Sequence, residues 1–124
     1  MSLLPALFIA NATVLFVHQI DAAYWHEWEL FHIPGGNQVN LLLNLPIVAL
    51  VLLAHRQVTL ASGYTIAAHR LLASLGLLTV FLHSGFLVFG STQFLQPASI
   101  ALLASTGLLS IAQLACLHRS NAAA

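Results

Sequence analysis

All three acidic residues of the chain and three of its seven histidines fall within residues 18–32. The segment opens on His18, Gln19, Ile20, Asp21 and Ala22, and continues through Tyr24, Trp25, His26, Glu27, Trp28, Glu29 and Phe31 to His32. Imidazole and carboxylate together are the ligand set of zinc and non-haem iron centres. A carboxylate beside an imidazole also fixes its tautomer without touching the ion. An ion with an open position lowers the pKa of bound water and permits hydrolysis. Consecutive residues on a helix are offset by about 100°, so His18 and Asp21 share a face one turn apart. Glu27 would point roughly opposite to His18, and His26 to one side. Both turn inward only if the helix breaks after Tyr24. The pair His26-Glu27 does not open a His-Glu-x-x-His motif, because position 30 is leucine, so a zincin mechanism is excluded.

A fourth imidazole joins this set once the elements that carry it are placed. The chain has 124 residues, is 60% hydrophobic and only 5% charged. Soluble domains carry about a quarter charged residues, and a chain this short could not hide so much apolar surface from water. Four apolar runs, at about 3–24, 39–57, 65–89 and 97–117, are near the length of about 20 residues that crosses the hydrocarbon core as a helix. They lack the alternation of a membrane β-barrel. The expected fold is therefore all-α: one transmembrane domain over 1–124, a four-helix bundle with short joins and antiparallel neighbours. Residues 1–10 carry no basic residue, so the first run is expected to be a retained helix rather than a cleaved signal.

Arg56 and Arg70 flank the join between the second and third runs, and Arg119 follows the fourth. With four spans, these positions and both termini share one side, which the positive-inside rule makes cytoplasmic; a bacterial inner membrane is the expected location. The acidic segment then lies near the other face. Counting from that face, His18, Asp21, Asn44, His83 and Ser99 reach a similar depth on four helices. The expected metal ligands are His18, Asp21, His26 and His83, holding a transition metal such as Zn or Fe. Asp21 is a ligand or orienting group, and Glu27 a general base.

Plainer roles compete. An intramembrane polar layer also stitches helices together, which would make the chain a non-enzymatic accessory or scaffold subunit. Bis-histidine haem ligation by His18 and His83 is a third reading. Tyr24, Trp25 and Trp28 suit an interfacial belt. The His-Arg pairs at 55–56, 69–70 and 118–119 suit interface anchoring, or anionic headgroups. No polar track is expected to continue to the cytoplasmic face. The bilayer is the expected partner, with a homo-oligomer or partner subunit to help bury the polar layer. Neutral net charge gives nucleic acid no purchase.

The run His18-Gln19-Ile20-Asp21-Ala22 followed by His26-Glu27-Trp28 resembles a family of small four-helix bacterial membrane proteins of unknown function. Phe31, the Leu45-Pro46 step, His83 and the 94–99 segment extend the likeness over most of the chain. The resemblance implies the four-helix fold and a site at these residues, and it supplies no activity. Members of that family carry a histidine shortly before the proline of the second span, where this chain has Asn44.

Overall fold

A computed structural model describes residues 3–122. The chain forms α1 (Leu3–Tyr24), the single-turn α2 (Glu27–Leu30), α3 (Gly36–Thr59), α4 (Thr65–Val88) and α5 (Pro97–Ala122). Among the described residues there is no strand. The four long helices are apolar and long enough to cross a membrane. Their boundaries follow local chemistry. Pro97 stands at the first position of α5, where its missing N–H costs nothing. Gly35 and Gly36, at φ 112° and 61°, turn the chain from α2 into α3 through backbone regions that side chains disfavour. Pro46 lies inside α3, where it removes one N–H from the helical ladder.

Helix α5 packs on α1 and α4, and α3 packs on α4 and α1. The register is readable at the α4–α5 seam. His69 meets Gln113, while Cβ atoms added at Gly76 and Gly107 would meet Ser110 and Val80 respectively. Along this seam residue numbers rise on α4 as they fall on α5. Gly76 permits this seam: its added Cβ would lie 2.7 Å from Thr106 Oγ1 and collide with Ser110 Oγ. A small residue there lets the backbones approach, as is usual between membrane helices.

Two apolar clusters hold the helices. The larger joins Phe8, Ala12 and Leu15 of α1 to Val51, Ala54 and Val58 of α3 and to Ala68 and Leu72 of α4. The smaller, at the α2 end, joins Ala22, Phe94 and Leu103, with Trp25 and Leu30 against it. Leu42, Leu45, Phe81 and Leu108 are among many large apolar side chains left exposed. In water such a surface would be an association liability; hydrocarbon is the solvent that matches it.

Candidate metal centre

Helix α1 stops at Tyr24, and the chain turns through Trp25 and His26. His26 takes the left-handed conformation at φ 54°, and α2 restarts at Glu27. This is the break that an inward Glu27 requires. The turn separates the two members of the His26-Glu27 pair. The Glu27 side chain is only 16% exposed and faces the interior, whereas His26 is mostly exposed, 3.5 Å from Glu29 and stacked on Trp28.

Inside, His18, Glu27 and His83 come together, each offering one ligand atom, all within 4.8 Å of one another. The imidazoles meet edge to face with centroids 4.6 Å apart, and both are buried. His83 Nδ1 lies 2.8 Å from the Thr79 carbonyl oxygen. A carbonyl only accepts, so Nδ1 carries the proton and Nε2 keeps its lone pair. That Nε2 faces Glu27 Oε1 at 3.7 Å without a hydrogen-bond donor, and His18 Nδ1 is likewise buried and unpartnered. Burial, and then the neighbouring Asp21 charge, push the Glu27 carboxyl up to about 7.

Ligands at about 2.0–2.2 Å from one tetrahedral ion stand about 3.3–3.6 Å apart. The His83–Glu27 spacing of 3.7 Å is close to this, and ligand atoms as far as 4.8 Å apart would close in by about 1 Å, within the reach of side-chain rotation. The two rings do not suit a haem. Its iron takes axial nitrogens from opposite faces of the macrocycle, and imidazoles in edge contact at 4.6 Å leave no slab for one between them.

The remaining expected residues distribute around this core. Asp21 is outside the three-residue group. Its Oδ2 is buried without a partner, and its charge is felt by Glu27. Asn44 donates to the Asn40 carbonyl and side chain of its own helix. Ser99 is buried. Trp28 is buried rather than at the surface, and Trp25 packs on the smaller apolar cluster. Phe94 carries no ligand chemistry of its own, yet it is buried with its ring centroid 4.5 Å from His83 and 5.8 Å from His18. It holds φ 67°, a region a phenylalanine adopts only under constraint from its surroundings.

A second buried polar set lies further along the helices. Thr106 Oγ1 donates to Asn11 Oδ1 at 2.8 Å. Asn11 Nδ2 donates to Ser110 Oγ at 3.0 Å and to Gln113 Oε1 at 3.2 Å. Gln113 Nε2 then donates to His69 Nδ1 at 2.7 Å. All five side chains are buried. This corrects two expectations. His69 is an interior group rather than an interface anchor beside Arg70, which is exposed. Polar residues also occur well beyond the His18 layer. The signal was present in α5, where Thr106, Ser110 and Gln113 recur at helical spacing on one face. Asn11 likewise stands two turns before His18 on α1.

These observations define a class: a small all-helical protein with four membrane-length helices and an interior imidazole–carboxylate cluster able to hold a metal ion. The chain belongs to the family of unknown function DUF6713, which matches residues 4–120. No curated protein and no solved structure matches the chain.

Proposed function

We propose that the protein is an integral membrane metalloprotein, an antiparallel four-helix bundle that holds a transition metal such as zinc or iron through His18, Glu27 and His83. One observation carries this reading. The lone pair of His83 Nε2 and the Glu27 carboxylate face each other at 3.7 Å, beside the unpartnered His18 Nδ1. Acceptors that converge without a donor need a cation between them. A divalent ion satisfies all three at once. Asp21, whose charge already bears on Glu27, adds negative charge beside the ion. Three protein ligands leave a tetrahedral ion one open position, the arrangement of catalytic rather than structural zinc. By the arginine distribution, the site lies near the extracytoplasmic face and both termini are cytoplasmic.

The competing occupant of the gap is a proton: a neutral Glu27 carboxyl donating to His83 Nε2 would make the cluster a structural pin for an accessory subunit. Metal analysis by mass spectrometry, on protein purified in mild detergent without chelators, separates the two. The metalloprotein should hold close to one equivalent, lost in His18→Ala/His83→Ala and retained in His26→Ala. A folded wild type without metal, still unable to take up added Zn or Fe, would sink the metal reading and leave the structural one.

A further inference from the structure

The cluster has two different neighbours. On the α2 side it is bounded by Glu27, whose side chain keeps 16% of its surface exposed. A cavity of about 440 Å³ runs between α4 and α5, lined by the buried His83 and Phe94 and by Ser84, Gly107, Leu108 and Ile111. Its lining is almost wholly apolar. Ligand pockets commonly enclose roughly 300–1,000 Å³, with apolar walls and a few convergent polar groups. Ile100, Leu108 and Ile111 at its mouth are about half exposed or more, so in a bilayer the mouth meets acyl chains rather than water. Phe94 lies between this cavity and His18, touching both imidazoles.

Resting on the metal-centre reading, we propose that the natural ligand of the site is a single-chain membrane amphiphile. Its hydrocarbon chain occupies the α4–α5 cavity, and an oxygen-bearing end group reaches the His18–Glu27–His83 cluster past Phe94. An apolar molecule would gain nothing from the imidazole–carboxylate cluster, and a polar solute would gain nothing from the cavity. Only a molecule with both parts uses both, and the bilayer delivers it at the right depth.

The probe is a long-chain fatty acid with a photoreactive diazirine in its chain, applied to the purified full-length protein in lipid nanodiscs with adducts mapped by mass spectrometry. Adducts should concentrate on Val80, Leu87, Ala104 and Leu108. Excess unlabelled fatty acid should cut them about tenfold, as saturable occupancy requires, while labelling of Leu42 and Leu45 on the outer face of α3 stays unchanged. Its methyl ester should compete poorly. Ala104→Phe, which fills the cavity away from the ligands, should reproduce the loss with metal content intact. Labelling spread evenly over all lipid-facing helices, or indifferent to competitor, would overturn the proposal on the wild-type protein alone. Cavity-confined, competed labelling on a metal-free wild type would instead overturn the metal centre and keep the amphiphile site.

Discussion

Replacing Gly76 by alanine sets two well-measured effects against each other. In a helix interior, alanine is favoured over glycine by about 0.8–1.0 kcal/mol, so propensity alone predicts stabilisation. The structure predicts the reverse. The new Cβ would lie 2.7 Å from Thr106 Oγ1 and 3.3 Å from the Thr106 carbonyl, and would overlap Ser110 Oγ. The carbonyl is backbone of the facing helix, so α5 itself must move. Overpacking a tight seam costs about 1–3 kcal/mol. Displacing α5 also strains the Thr106–Asn11 and Asn11–Ser110 hydrogen bonds, each contributing about 0.5–1.5 kcal/mol. The net expectation is destabilisation of about 1–4 kcal/mol. Gly85→Ala, on the same helix with nothing near its added Cβ, is the control and should gain up to about 1 kcal/mol. Reversible unfolding in mixed detergent micelles measures both. Ser110→Ala should recover part of the Gly76→Ala loss, since one of the colliding atoms is gone. A Gly76→Ala protein as stable as wild type would refute the close-packed seam and the polar network built on it.

Gln113→Leu should cost about 1–3 kcal/mol in the same assay, because it leaves His69 Nδ1 without its partner in the interior. The raised pKa of Glu27 has a signed consequence for the metal-free protein. The folded state binds a proton there between the ordinary carboxyl value of 4.5 and about 7, so this stabilisation is complete below 4.5 and fades as pH rises through 7. Its ceiling is about 3 kcal/mol at 1.36 kcal/mol per pKa unit. Chemical denaturation of chelator-treated protein across that window should show the slope, and Glu27→Gln should flatten it; a slope unchanged by the substitution would place the titrating group elsewhere.

The membrane-length helices were legible because length and hydropathy act over twenty residues at a time, which averages out local exceptions. Helix α3 begins at Gly36 rather than near Val39 and α5 continues to Ala122, since helix ends depend on solvent and caps more than on apolar content. His18 and His83 were legible because an imidazole in an apolar run is costly and therefore conspicuous. Their partnership with Glu27 was not. It depends on a turn at Trp25 and His26, where no glycine or proline marks the break, and on a histidine taking φ 54°. Asn11, Thr106, Ser110 and Gln113 escaped notice for a different reason. Each is uncharged and individually cheap in a membrane helix, and only their arrangement across α1 and α5, with His69 of α4, makes them a network. Phe94 was invisible because aromatic residues in apolar chains are common, and its importance lies in what it touches.

The polar network also fixes an order of events during synthesis. Asn11 finds its partners 95, 99 and 102 residues later in the chain, and His18 meets His83 only after α4 has been made. In a membrane, helix α1 would therefore stand without these partners until the later helices are made. Until α5 arrives, the nascent chain displays polar groups inside the membrane, the feature by which an unassembled span differs from a finished one. Such a form would be open to capture by insertion chaperones or membrane proteases until α5 covers Asn11.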